Sequence, residues 1–181
     1  MADNITDNIT ALPYPESYWV KHQLFMAGEY PARFNELETR RRLQSLIRLG
    51  IVRFIDLTHQ QDFMPKYEEM LLDEGNGYMK RMAYSHHPII DRSIPSIEKM
   101  KTILDEIDES LSKHEPVYIH CIAGIGRTGT VVGCYLIRHG HQPEDVLPEI
   151  QKLRHQVPSR WMRSPEADEQ VAFMLSWKHG L

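Results

Sequence analysis

The chain has 181 residues, a formal net charge of −4 and 41% hydrophobic residues. That length suits one compact domain with a real core, and the mildly acidic balance excludes a general nucleic-acid surface. No run of about 18 apolar residues exists to span a membrane, the start lacks the basic and apolar stretches of a signal peptide, and two cysteines do not read as a disulfide framework. A cytoplasmic location is therefore expected.

The first dozen residues repeat Asp3-Asn4-Ile5-Thr6 as Asp7-Asn8-Ile9-Thr10. Both units match the Asn-x-Thr glycosylation pattern. Without a secretory route, residues 1–13 read better as a flexible polar arm ahead of a single domain over 14–181. Gln23–Ala27 is a short candidate strand ending at Gly28. Ala32–Leu49 reads as a helix with Leu43, Leu46 and Ile47 inward, closed by Gly50. Ile51–Leu57 is near-continuously apolar, as a central strand should be. Met64–Leu72 reads as a second helix ending before Gly75-Asn76-Gly77, and Tyr78–Ser85 as a strand. Ser96–Leu111 is amphipathic, with Ile97, Met100, Ile103, Leu104, Ile107 and Leu111 on one stripe. Val117–His120 is a β-prone run.

Three helices are expected after that run. Thr130–His139 ends at Gly140. Pro143 opens the next, to about Leu153, in which Pro148 should produce a kink or a delayed start. Ser164-Pro165-Glu166 opens the last, burying Val171, Met174 and Leu175. Alternating strands and helices with a helix-rich second half predict an α/β fold, with a mostly parallel central sheet of four to five strands flanked by helices.

Between the Val117–His120 strand and the helix after it stands Cys121-Ile122-Ala123-Gly124-Ile125-Gly126-Arg127-Thr128-Gly129. A strand, a tight loop and a helix start form an anion site, because backbone N–H groups converge there and the helix dipole adds positive potential. Such a setting favours the thiolate of a cysteine. A phosphoryl group bound by Ile122, Ala123, Gly124, Ile125, Gly126 and Arg127 would sit over that sulfur. Arg127 can grip two phosphate oxygens with its planar fork. Gly124 and Gly126 let the backbone turn its amides inward. Thr128 can donate a hydrogen bond toward the sulfur. His120 alternates away from Cys121, so it should orient the loop from behind. The competing reading of Cys121, a buried inert cysteine, does not call for Arg127 or the glycines.

This string resembles the signature of the cysteine-dependent protein tyrosine phosphatase superfamily, His-Cys-x5-Arg followed by Thr or Ser. Through Cys134-Tyr135-Leu136 it is most similar to the small, atypical dual-specificity phosphatases. The resemblance implies a phosphomonoester hydrolase acting through a cysteinyl-phosphate intermediate. The element order extends it from about Gln23 to Trp177.

A phosphatase of this kind needs a general acid to protonate the leaving oxygen. Asp91, in His87-Pro88-Ile89-Ile90-Asp91-Arg92-Ser93-Ile94-Pro95, is the candidate. It lies in a proline-bracketed loop after a strand, thirty residues before Cys121, and the string resembles the acid loop of some dual-specificity members. Its competing reading is an Asx-turn before Ser96. Asp62 is the second candidate, and Asp56 reads as structural. The resemblance also gives Gln170 a role in positioning water, against an equal reading as a solvated helix face.

No cofactor is implied. Arg127 and the loop amides supply the charge stabilisation, and no His/Asp/Glu spacing resembles a closed metal site. The loop's variable positions lack the lysines frequent in lipid phosphatases, which favours phosphorylated protein or peptide as partner, phosphotyrosine first. Arg92, Arg160 and Arg163 leave a second phosphate or an acidic peptide open. The alternatives are a phosphatase of phosphoinositides or other small phosphorylated molecules, and a non-catalytic phosphate-binding module. Cys134 is expected to pack in the core, while reversible oxidation of Cys121 offers regulation. No oligomeric state is implied.

Overall fold

The computed structural model describes residues 12–181. The Asp-Asn-Ile-Thr repeat and all but the last two residues of the expected arm lie outside the described residues. Five strands, β1 (Ser17–Lys21), β2 (Phe25–Gly28), β3 (Arg53–Asp56), β4 (Ala83–His86) and β5 (Val117–His120), form one sheet in the order β1-β2-β5-β3-β4. β2, β5, β3 and β4 run parallel, and β1 closes one edge as the antiparallel arm of a hairpin. The expected α/β class and mostly parallel sheet are what the chain adopts.

Six helices flank the sheet: α1 (Glu36–Arg48), α2 (Glu68–Gly77), α3 (Ile97–Ser112), α4 (Gly126–Arg138), α5 (Pro143–Leu153) and α6 (Asp168–Leu175). Period-two alternation divides the core. Phe25, Ala27, Ile55, Val117 and Ile119 face the cluster that holds residues of α3 to α6. Met26, Phe54 and Tyr118 face the cluster built on Leu43, Leu46 and Leu71 from α1 and α2. Both central strands, β5 and β3, end at the same level, with His120 paired to Asp56. The loops that follow them therefore emerge side by side, as at the carboxyl ends of other parallel sheets.

Several boundaries differ from the periodic reading, each for a local reason. β1 is not among the strands the sequence predicts, and Gln23, expected in the first strand, instead sits in the hairpin turn at φ +59°. α1 starts four residues late because Asn35 caps it, its side chain accepting from the Glu38 amide at 2.9 Å. β3 is shorter than the apolar run around it. α2 starts only after Pro65, which disfavours helical geometry at Met64, and it continues through Gly75. A Cβ at Gly75 would lie 2.1 Å from Met82 Cγ, so that glycine is a packing site inside the helix. The following strand is displaced to Ala83 because Met79 takes a left-handed turn, φ +53°. α3 and α5 lie where expected, with Ser96 capping α3 through the Lys99 amide. Ile97 is nevertheless exposed, one turn before the stripe reaches the core. Pro148 neither delays the start of α5 nor ends it. α4 begins at Gly126 rather than Thr130, because the signature loop itself turns into the helix. α6 begins at Asp168 and buries Met174, whereas Val171 is half-buried and Leu175 exposed.

Candidate active site

β5 ends at His120 and α4 begins at Gly126, so Cys121 to Ile125 form a five-residue loop at the carboxyl edge of the sheet. The first turn of any helix carries N–H groups without intrahelical partners, and here that turn follows the loop directly. The loop is moulded by backbone contacts. Gly124 takes φ +71°, and a Cβ there would lie 2.5 Å from the Gly28 carbonyl oxygen at the end of β2. The Ile122 carbonyl accepts from the Tyr30 amide at 2.8 Å. The Ile125 carbonyl accepts from Ser164 Oγ at 2.7 Å. Two loop carbonyls are thus engaged by neighbouring segments. Gly124→Ala should cost roughly 1–3 kcal/mol from backbone strain alone, and more from displacing Gly28. Thermal melting should fall by roughly 2–4 °C per kcal/mol; an unaltered melt would contradict this contact.

Cys121 stands at the start of the loop with 3% of its surface exposed. His120 is fully buried on the opposite face, where its ring stacks on Tyr118. Its Nε2 lies 2.6 Å from Tyr67 Oη and its Nδ1 3.2 Å from the Cys121 carbonyl. Burial pushes its pKa below the usual histidine value, against the pull of Asp56, so the ring is neutral at pH 7. Asp56 itself is occupied, accepting from the Thr58 amide and hydroxyl and from Tyr84 Oη.

Arg127 gathers the site. It is 2% exposed, and NH1 donates to Asp62 Oδ2 at 2.6 Å and to the Ile89 carbonyl at 2.9 Å. NH2 lies 3.0 Å from Asp91 Oδ1. Burial opposes its charge, but Cys121, Asp62 and Asp91 together outweigh burial and raise its pKa further. Asp62 Oδ2 also accepts from the His59 amide at 2.9 Å. Asp62 is a nearly buried anchor for the guanidinium, whereas the Asp91 side chain is half exposed. Two polar atoms within α4, Arg127 Nε and Thr128 Oγ1, are buried without a hydrogen-bond partner among the described residues. Buried polar atoms are normally satisfied, so these two have hydrogen-bonding capacity to spare.

The loop bearing Asp91 is fixed at both ends. The His87 amide donates to the Asp56 carbonyl, and the Ile89 amide to the Leu57 carbonyl. The His87 ring lies 2.7 Å from Glu106 Oε2. At the other end the Ser93 carbonyl accepts from Gln170 Nε2 at 3.2 Å. Gln170 is fully buried, and its Oε1 accepts from the Ala167 amide, so it is no solvated helix face. The tip, Asp91-Arg92, stays exposed, with Arg92 at φ +60°.

The site residues expected from sequence thus meet at one edge of the sheet. Sequence reasoning missed the grip of Asp62 on Arg127 and the tie from Gln170 to Ser93. The only signal for the first was that Asp62 follows a strand. Cys134 lies within α4, fully buried, and burial alone pushes its thiol up. No group of three or more His, Cys, Asp or Glu side chains able to hold a metal occurs among the described residues. No helix among them is long and apolar enough to cross a membrane.

The model of a family described as "Polymorphic toxin system, DSP-PTPase phosphatase" matches residues 32–141. Human cyclin-dependent kinase inhibitor 3 is 32% identical over 71 residues, which are 38% of this chain and 34% of that protein. The chain spans about a third or less of the first curated relatives it matches. Among solved structures, Tk-PTP in its active form aligns over 90% of this chain and 97% of its own, with 24% identity and a TM-score of 0.69. PTPMT1 in complex with PI(5)P aligns over 88% and 92%, with 18% identity and a TM-score of 0.66. At those identities the structural likeness establishes the fold.

Proposed function

We propose residue roles and a substrate class for this chain, which belongs to the DSP-PTPase phosphatase family and is a cysteine-based phosphatase. Cys121 is the nucleophile, Arg127 and the amides of Ile122 to Gly126 hold the phosphoryl oxygens, and Asp91 is the general acid. His120 and Thr128 support the loop and the sulfur. Residues 14–181 act as one catalytic domain, in a reducing, cytoplasmic setting that keeps both thiols free.

In the first step the Cys121 sulfur donates an electron pair to phosphorus in line with the scissile bond. The S–P bond forms, the P–O bond breaks, and Asp91 gives its proton to the departing oxygen. In the second, water attacks phosphorus and passes a proton to Asp91. The S–P bond breaks and the thiolate and acid are restored. Arg127 and the helix start stabilise the equatorial charge in both steps.

The observation that supports this reading is the 3.0 Å approach of Asp91 to Arg127 NH2, an exposed carboxyl group beside the guanidinium that follows the Cys121 loop. Asp91→Asn should slow p-nitrophenyl phosphate little and poorer leaving groups by roughly 10²–10⁴-fold, with the basic limb of the kcat profile lost. An unaltered leaving-group dependence would move the acid elsewhere.

The substrate proposed is a phosphorylated protein or peptide, phosphotyrosine first. It is supported by the uncharged side chains of Ile122, Ala123 and Ile125 in the loop. The likeness to PTPMT1 with PI(5)P brings phosphoinositides as a second reading. Against it stand two of the three arginines named from the sequence, which have acidic partners: Arg92 lies 3.8 Å from Glu166, and Arg163 2.6 Å from Asp168. Comparing kcat/KM for phosphotyrosine peptides, phosphoserine peptides and a phosphoinositide headgroup tests the choice. A clear headgroup preference would overturn it.

A further inference from the structure

The segment leading into α6 touches both halves of the site. A Cβ at Gly126, the first residue of α4, would lie 2.6 Å from Glu166 Oε1 and 3.1 Å from Gln170 Oε1. Glu166 therefore brings a carboxylate to the first turn of α4, where helix geometry favours negative charge. Its other oxygen, Oε2, lies 3.8 Å from Arg92 NH1 on the tip of the Asp91 loop. The glutamate side chain keeps 28% of its surface exposed, so it stands at the rim rather than in the core.

Two other arginines near the site are also paired with carboxylates. Asp62 and Asp91 both lie on Arg127. Arg163 donates to Asp168 and to the Glu166 carbonyl. The loop and Arg127 are enough for one phosphate, and a second phosphate directed toward the start of α4 and α6 would meet the Glu166 carboxylate as well as Arg92.

We propose that Glu166 is a specificity-determining residue that sets this site for singly phosphorylated groups and against substrates carrying a second phosphate beside the reacting one. The inference rests on the reading of the Cys121 loop as the phosphate site. It deepens that reading by giving a physical reason for selectivity that the loop's neutral side chains alone do not supply. Like charges a few ångströms apart at an exposed rim disfavour binding by on the order of tenfold, and mobile ions screen that effect. Arg92 offsets part of it, so the exclusion is graded.

The test uses the full chain, Glu166→Gln and Glu166→Lys. Each is assayed with a phosphotyrosine peptide, an inositol monophosphate and an inositol bisphosphate whose phosphates are vicinal. The readout is the ratio of kcat/KM for bisphosphate over monophosphate. In low salt that ratio should rise about tenfold in Glu166→Gln and further in Glu166→Lys, chiefly through KM, and the rise should shrink in high salt. An unchanged ratio in both variants overturns the proposal. So does a uniform fall for all three substrates, which would make Glu166 a packing residue. If the wild-type chain turns over none of the three, the reading of the loop as a catalytic phosphate site fails, an outcome distinct from the other two.

Discussion

Cys121→Ser should reduce turnover of aryl phosphates by roughly 10⁴-fold or more while leaving the fold and phosphate binding in place. A serine hydroxyl must lose its proton to attack phosphorus, and the site offers no free base in this step, in which Asp91 has to be protonated to act as the acid. His120, the nearest histidine in sequence, lies on the opposite face of the sheet, neutral, with one nitrogen on Tyr67 and the other on the Cys121 carbonyl. Asp62 is held by Arg127 and by the His59 amide. Oxygen in place of sulfur is a small change in a side chain that is already 3% exposed, so the melting temperature should hardly move. Rapid quench with a labelled substrate should show a phosphoenzyme in the wild type and none in the variant. A variant that keeps activity would remove Cys121 from the mechanism.

Arg127→Lys should be nearly as damaging for a different reason. The guanidinium reaches several groups at once, NH1 to Asp62 and the Ile89 carbonyl and NH2 to Asp91, while Nε has no partner among the described residues. A lysine ammonium is a single point and cannot span them. If it stays on Asp62, the Ile89 carbonyl and the phosphate lose their donors. Losing one such donor typically costs 10²–10³-fold in kcat, and loss of the bidentate grip should lower phosphate affinity as well. Arg127→Ala should add a stability defect of about 3–5 kcal/mol, because Asp62 would be left as a buried charge without its partner. The pair of variants separates the roles: Lys should cost mainly activity, Ala both activity and melting temperature. Arg127→Lys with wild-type kinetics would refute the phosphate grip.

Much of this was legible along the chain, and the exceptions share a cause. Val117–His120 and Pro143–Leu153 were read at their observed bounds because each is framed by its own punctuation, prolines in particular. Ser96 was legible as a cap from local pattern. The strand Ser17–Lys21 was not, because it is defined by pairing with β2 across a turn that puts Gln23 at positive φ, and no Gly or Asn announces it. The start of α4 is not legible because Gly126, Thr128 and Gly129 are poor helix formers in isolation; burial and the loop geometry override them. In the site, Cys121, Gly124 and Arg127 are adjacent in sequence and could be seen together. Asp62 reaches Arg127 across 65 residues and Gln170 reaches Ser93 across 77. Such contacts have no periodicity, and only the order of strands in the sheet brings them together.

The contact between Gly124 and Gly28 limits how this loop could be re-engineered. It is an approach of backbone to backbone, so no side-chain substitution elsewhere can relieve a bulkier residue at position 124. On the other side, a Cβ at Gly28 would lie 2.6 Å from both the Glu16 carbonyl oxygen and Tyr118 Oη. The two glycines, 96 positions apart in the chain, therefore behave as a single locked unit. A library meant to redirect specificity should leave them fixed and diversify Ala123, which is exposed, and Ile122, which is half-buried. Those positions can change chemistry without reshaping the cradle.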